Sequence, residues 1–381
     1  MIRGTGPPAG PFGVRVKMSA ISRAIESYGL RLERRRLRLR ARRKLRELHK
    51  VADRTAVIRP GDILLFATVR NERARLSDFL AHYRSLGVEQ FLFVDNGSTD
   101  GTGAVLADQP DCSVWETSAS YRRARYGVDW MNGLLGRYGH DSWTLVVDAD
   151  EFLVYPHCDT RPLRALTDWL DDGSVRAFSA MLIDLYPKEG ERVQGPVAGL
   201  PGSVVRARWF DPANYTLSRN PRYGNLWIQG GVRARTFFGA DPRRAPALNK
   251  IPLVKWRRHY AYVSSTHTLL PRGLNLVYDD TGGEKAAGAL LHAKFGPGFA
   301  DRARAEAARG EHFDGGSEYR AYVRALEEGA ALWCPDSQRY SGWRQLESLG
   351  LISAGSWALG GRDDRGIRHP GAQGAGPGGG G

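Results

Sequence analysis

Cysteine and long apolar runs are what this chain has least of. Three cysteines among 381 residues, Cys112, Cys158 and Cys334, are odd in number, far apart and without a CxxC pair. Neither a disulfide framework nor a zinc site is suggested. No window approaches the roughly eighteen continuous apolar residues of a membrane-spanning helix. The opening "MIRGTGPPAGPFG" has no apolar stretch of the secretory kind, so the cytosol is the expected location. The 42% hydrophobic content is nevertheless enough for a sizeable core, which excludes a disordered or fibrous chain.

Acidic residues are also in deficit, and unevenly so. Between Arg31 and Lys50 stand eleven Lys or Arg and two Glu, while the remainder is only mildly basic. Leu30 and Leu37, and likewise Leu32 and Leu39, recur at seven residues, which suits a helix with an interrupted apolar stripe among arginines. Such a helix either packs lightly on the main body or lies on an anionic membrane face. Nucleic acid is not expected as a partner, because the run lacks stacking aromatics.

Residues 1–14 are rich in Gly and Pro and 361–381 form a Gly-rich tail. Both ends are expected to be disordered. Between them lie a basic helical leader over 15–56, a main domain over 57–300 and a helical extension over 301–360. Patterning predicts strands at 63–69, 90–94 and 144–147, and helices at 76–86, closed by Gly87, and at 121–137. Alternation of this kind predicts an α/β domain with a largely parallel central sheet flanked by helices, in which ligands bind beyond the carboxyl ends of the strands.

Three of those ends carry unusual polar residues: "FATVRNE" with Arg70, Asn71 and Glu72, "FLFVDNGSTD" with Asp95, Asn96, Ser98 and Asp100, and "TLVVDADEF" with Asp148, Asp150 and Glu151. In an extended segment Asp148 and Asp150 point to the same side. Clustered carboxylates repel one another unless a cation is present, and Mg²⁺ or Mn²⁺ suits oxygen ligands completed by substrate phosphates. The plainer alternative is a set of turn formers and helix caps, which Asn, Ser, Asp and Gly provide in many loops.

Taken together, "VRNERARLSDFLAHYRSLGVEQFLFVDNGSTDGT" and "WTLVVDADEFLVYP" resemble the bacterial family 2 glycosyltransferases of GT-A fold, in the branch with V-R-N-E and D-x-D-E-F motifs. The resemblance extends more weakly through "GGVRARTFFG", "NKIPLVKW", "YVSSTHTL", "LLHAKF" and "SQRYSGWRQLESLGL", so that it spans roughly 60–352. It implies a nucleotide-sugar donor, a hydroxyl acceptor such as a glycan or lipid-linked glycan, and a role in surface polysaccharide or glycoconjugate synthesis.

It also implies roles for particular residues. Asp95 would accept a hydrogen bond from the donor's base, and Asn96 would shape the turn around it. Arg70, Asn71 and Glu72 would meet phosphate, base or ribose. Asp150 would ligate the metal, Asp148 would reach it through water or contact ribose, and His292 in "LLHAKF" would be a further ligand, the plainer alternative being a satisfied core histidine beside Leu290 and Leu291. Glu151 would touch the acceptor side or brace its loop. Many members carry an E-D pair about ninety residues past the metal motif. Here only Asp241 stands there, and Asp184 in "MLIDLYP" competes with it as general base. Arg233 and Arg235 are expected on one face of a strand, lining the cleft or exposed to solvent. The nearest rival is a nucleotidyltransferase, but "FATVRNE" lacks the glycine-rich phosphate loop expected there. A second rival is a catalytically silent, membrane-associated binding protein of the same fold.

Overall fold

The computed structural model describes residues 20–191, 195–278 and 285–357. The ends expected to be disordered, 1–14 and 361–381, lie outside the described residues. The chain opens with α1 (Ala20–Lys44), β1 (His49–Ala52), β2 (Ile63–Val69), α2 (Arg73–Ser85), β3 (Gln90–Asp95), α3 (Thr102–Ala107) and β4 (Cys112–Glu116). It continues through α4 (Val128–Tyr138), β5 (Trp143–Val146), β6 (Glu151–Val154), α5 (Leu163–Asp172), β7 (Ala177–Asp184), α6 (Gly202–Arg206) and β8 (Trp209–Phe210). Next come β9 (Tyr215–Arg219), β10 (Leu226–Gly230), β11 (Asn249–Lys255), β12 (Ala261–Ser264), β13 (Thr268–Leu270) and β14 (Ala287–His292). Last are α7 (Phe299–Arg309), α8 (Phe313–Glu327), β15 (Gln338–Arg339) and α9 (Trp343–Ser348).

Nine of the described strands form one sheet in the order β1-β4-β3-β2-β5-β11-β7-β14-β6. The pairings of β4 with β3, β3 with β2, β2 with β5 and β7 with β14 are parallel. Because β11 is antiparallel to both β5 and β7, six strands point the same way, and β1, β11 and β6 oppose them. The expected α/β architecture with a mostly parallel sheet is present.

Burial explains why the parallel strands read as continuous apolar runs: helices cover both faces. Successive side chains alternate between faces. Ile63, Leu65, Ala67 and Val69 of β2, with Phe91 and Phe93 of β3, share a buried cluster with Leu76, Phe79, Leu80 and Tyr83 of α2. Leu64, Phe66, Leu92 and Val94 instead meet Val128, Met131, Leu134 and Leu135 of α4.

The predicted strand at 63–69 matches, and the others shift by a residue. Helix α2 begins three residues before the predicted start. The helix expected from 121 does not begin until Val128. Arg125, Tyr126 and Gly127 have φ of 54°, 59° and 79°, and three successive left-handed residues cannot continue a right-handed helix. Glycine at 127 is required doubly, since a Cβ there would stand 2.9 Å from the Thr68 hydroxyl. The expected strand at Arg233 and Arg235 is instead a short π-helical turn over Arg233–Phe237.

Helix α2 also fixes the start of β6. The Tyr83 hydroxyl donates to Glu151 O at 2.9 Å and accepts from Leu153 N at 3.2 Å, and His82 Nε2 lies 3.0 Å from Leu153 O. Burial pushes the His82 imidazole down to about 4 against that hydrogen bond, so the folded chain keeps it neutral where the unfolded chain, near 6.5, takes up a proton. Stability is therefore expected to fall by roughly 1–3 kcal/mol from this group as pH drops from about 6.5 to about 4. Denaturant titrations across that range should show a shallower acid slope for His82→Gln, which keeps a donor but does not titrate. Parallel curves for the two proteins would disprove the assignment.

Candidate functional site

Strand direction alone gathers the candidate residues. Since β2, β3, β5, β7 and β14 run the same way, Arg70, Asn96, Asp148, Asp184 and His292 collect along one edge of the sheet. The opposed strands β6 and β11 begin at that edge, bringing Glu151 and Lys250. This is the edge at which open α/β sheets bind ligands.

The acidic motif is not extended there. Glu151 N donates to Asp148 O at 3.0 Å, closing a tight turn between β5 and β6, so the expected same-side projection of Asp148 and Asp150 does not hold. The two carboxylates have different partners. Lys250 Nζ lies 2.9 Å from Glu151 Oε1 and 3.5 Å from Asp148 Oδ2. Asp150 Oδ2 lies 3.4 Å from Arg75 and its Oδ1 lies 3.5 Å from His292 Nε2. Glu151 is 1% exposed and its second oxygen takes the Asp148 N–H. It therefore braces the turn from a buried position. Burial would lower the Lys250 ammonium, but the Glu151 and Asp148 charges outweigh it and raise it. The Asp148 side chain remains 57% exposed.

His292 is held from behind. Its Nδ1 lies 2.7 Å from Asp184 Oδ1, and Asp184 receives Arg233 Nε at 2.7 Å and Nη2 at 2.8 Å. Burial would raise the Asp184 carboxyl, but Arg233 and His292 hold it well below the usual range. Both carboxylate oxygens of Asp184, expected as a candidate general base, are thus engaged by Arg233 and His292. Burial would likewise lower His292, but Asp150 and Asp184 lift it to about 9. Asp150 is held far below the carboxylate range, His292 foremost and Arg75 next outweighing burial.

An imidazole whose Nδ1–H is fixed by a carboxylate presents Nε2 forward, the arrangement that orients metal-binding histidines. Asp150 and His292 thus offer one oxygen and one nitrogen to a divalent cation, which would displace the Nε2 proton. Among the described residues no group of three or more His, Cys, Asp or Glu is placed to hold a metal, so these two fit a cation only if a ligand supplies the remaining donors.

The first two strand ends are spent internally. Arg70 Nη1 donates to Asn96 O at 2.6 Å. Asn71 N donates to Ser98 Oγ, and Thr99 N to Asn71 Oδ1. Glu72 pairs with Arg75 at 3.0 Å. Asp95 Oδ1 takes the Ser98 N–H at 2.8 Å, while a Cβ at Gly103 would stand 2.6 Å from its Oδ2. Asp95 therefore closes its own turn beneath α3. Asp100 takes the N–H groups of Thr102 and Arg73. Asn96 donates to Thr117 O and Ala119 O and receives Arg309 Nη2 at 2.8 Å. The junction of α7 and α8 also lies over this side, through Glu311 to Ser120 and Arg122. Asp241 is exposed in a turn where its backbone bonds Phe238 and Arg244, and among the described residues no hydrogen bond links it to the acidic turn.

A cleft opens on the α4 side, lined by Thr68, Tyr121, Gly127, Asp148, Lys250 and Thr266 among others. Of the residues expected to meet a nucleotide, Asp148 alone lines it. The Thr68 and Thr266 hydroxyls are buried and have no partner among the described residues, which suits a polar ligand. Sequence reasoning missed Lys250, although a lysine inside the apolar run "NKIPLVK" is a signal, since lysine is seldom buried unpaired. It also missed Arg75 and the pairing of Arg233 with Asp184, for which local sequence offers no sign.

No protein-family model and no curated protein matches the chain. Among solved structures it is similar to a glucose-1-phosphate thymidylyltransferase from Bacillus anthracis, at 8% identity and TM-score 0.27, over 76% of this chain and 95% of that one. A second is a 4-diphosphocytidyl-2C-methyl-D-erythritol synthase, at 17% identity and TM-score 0.21, over 47% of this chain and 78% of that one. Scores this low carry no argument about the chain.

Arg233→Met leaves Asp184 buried beside His292 without its bidentate partner, and removing one member of a buried pair costs about 3–5 kcal/mol. Urea denaturation should show that loss, with part of it recovered in Arg233→Met/Asp184→Asn. A loss below about 1 kcal/mol would mean that Asp184 is not held by this pair.

Proposed function

We propose that this chain is a metal-dependent glycosyltransferase of the family 2 type, moving a sugar from a nucleotide donor to a hydroxyl acceptor. The observation that carries the reading is the facing of Asp150 and His292 across 3.5 Å, with His292 oriented by Asp184, at the carboxyl edge of a mostly parallel sheet. Two protein donors suit a cation whose other ligands arrive with a diphosphate. Asp150 and His292 would hold Mn²⁺ or Mg²⁺, which when bound supplies Lewis-acid stabilisation of charge developing on the departing nucleoside diphosphate.

The chain's own residues provide the rest. The unpartnered hydroxyls of Thr68 and Thr266 accept and donate hydrogen bonds to a sugar or ribose. Lys250, fixed by Glu151, adds positive charge at the cleft floor. Asp148 is the carboxylate of the turn that faces the cleft and solvent, so it can take a ligand hydroxyl proton or hydrogen bond. The apolar packing of α4 against the sheet shields one side of the cleft from water.

The test combines binding with product analysis. With Mn²⁺, one member of a nucleotide-sugar panel should raise the melting temperature, since a ligand at a hundred times its dissociation constant stabilises by about 2.7 kcal/mol. Free nucleoside diphosphate should then appear, with transfer lost in EDTA and restored by Mn²⁺ or Mg²⁺. Asp150→Asn should lose both the Mn²⁺-dependent shift and transfer, and a deficit of about 4 kcal/mol in transition-state stabilisation is roughly a thousandfold in rate. Release of pyrophosphate from a nucleoside triphosphate and a sugar phosphate would replace this reading with nucleotidyl transfer. A folded Asp150→Asn protein with EDTA-resistant sugar transfer would end it.

A further inference from the structure

The basic leader is not a loose appendage. Leu30, Leu37 and Ala41 of α1 are buried, the first two against Ala261 and Leu270 of the β12–β13 hairpin. A Cβ at Gly133 of α4 would stand 2.7 Å from Leu45 and 3.2 Å from Ala41 O, so α1 and α4 pack closely. Charges on the same side are paired: Arg40 with buried Asp129 at 2.6 Å, Glu33 with Arg222 at 2.6 Å and Glu26 with Arg272 at 3.4 Å. The inner face is thus covered by the protein, with half-buried Arg34 the one arginine there that no ion pair meets among the described residues.

The outer face is not. Ile21, Ile25, Tyr28, Leu32 and Leu39 are between 43% and 72% exposed. They recur at four, three, four and seven residues, which at about 100° per residue forms one stripe directly opposite Leu30, Leu37 and Ala41. Arg31, Arg35, Arg38 and Arg42 border the stripe on one side, with Arg36 and Arg43 on the other, and none of these six has an ion pair among the described residues. Burial, then the like charges of Arg42 and Arg34, hold Arg38 below its ordinary value, as expected of a cluster lacking anions.

We propose that the outer face of α1 is a docking ridge for an anionic lipid bilayer, with Ile21, Ile25, Tyr28, Leu32 and Leu39 entering the headgroup boundary and the flanking arginines bonding lipid phosphates. An apolar stripe rimmed by arginines is the pattern of helices that lie in the membrane interface, and long basic side chains keep their heads at the phosphate level while their stems follow the apolar part. A second copy of the chain is a poor occupant, since pairing two such ridges sets twelve arginines together while Glu26 and Glu33 face inward on both. Nucleic acid gains little from Ile and Leu, which do not stack on bases. No helix among the described residues is long and apolar enough to cross a membrane, so the contact lies in the plane of the surface. Helix α4 both packs on α1 and lines the cleft, so docking places α1 and α4 between the cleft and the bilayer.

The inference does not depend on the reaction catalysed, and its test needs no substrate. The full chain is floated with phosphatidylcholine vesicles and with vesicles containing about 30% phosphatidylglycerol, at low and high salt. Flotation is expected with the anionic vesicles only, falling as salt rises. Ile25→Ser/Leu32→Ser/Leu39→Ser and Arg35→Glu/Arg36→Glu/Arg42→Glu should each bind at least tenfold more weakly while melting like the parent, because all six side chains are exposed. Absence of flotation by the parent overturns the proposal, and so does serine-variant binding equal to the parent's. A concentration-dependent dimer that the serine variant abolishes, without vesicle binding, assigns the ridge to a second copy instead.

Discussion

The common direction of six strands is the constraint on which the rest depends. It sends the carboxyl ends of β2, β3, β5, β7 and β14 to one edge, where polar residues of different strands meet one another and the α7–α8 junction. The same arrangement creates an electrostatic difficulty. Asp148, Asp150, Glu151 and Asp184 converge where several are withdrawn from water, and such charges persist only with partners.

The fold supplies two of those partners as fixed cations. Lys250 enters on β11, the antiparallel strand between β5 and β7, and pairs with Glu151 while lying 3.5 Å from the exposed Asp148 carboxylate. Arg233 comes from a turn distant in sequence and grips Asp184 at both oxygens. What remains is Asp150, met by Arg75 and by the His292 imidazole. It is the acid of the turn whose principal partner can lose its charge, by giving up a proton, and so make room for an exchangeable cation. The tight turn at Asp148–Glu151 matters for this, because an extended segment would set Asp148 and Asp150 against the same neighbours.

Helix α4 couples this edge to the opposite exterior. One of its faces covers β2 and β3, its first turn borders the cleft beside Thr68, and Asp129 anchors Arg40 of α1. The ridge on α1 and the cleft are thus two sides of one packed unit, with Arg40 of α1 paired to a buried carboxylate where it meets α4.

The sequence by itself determined the architecture and the location of the site. Fully apolar runs ending in "VRNE", "VDNGSTD" and "VVDADEF" require strands buried on both faces with polar carboxyl tips, and that is a local property of composition and period. His292 was set beside the acidic motif only by the family resemblance. Tertiary structure alone decided which polar residue faces which. Asp95 is taken up by the Ser98 N–H of its own turn, and Asn71 bonds the β3 tip through Thr99. Asp184 is tied to an arginine 49 residues away, so its availability could not be read from its neighbours. The segment 121–127 looked helical by composition but is bent by three successive left-handed residues, Arg125 to Gly127. The two faces of α1 are spelled in its heptads, yet only the packing of Leu30 and Leu37 on the hairpin showed which stripe is covered and which is left to a partner, because periodicity marks a face without saying what lies against it.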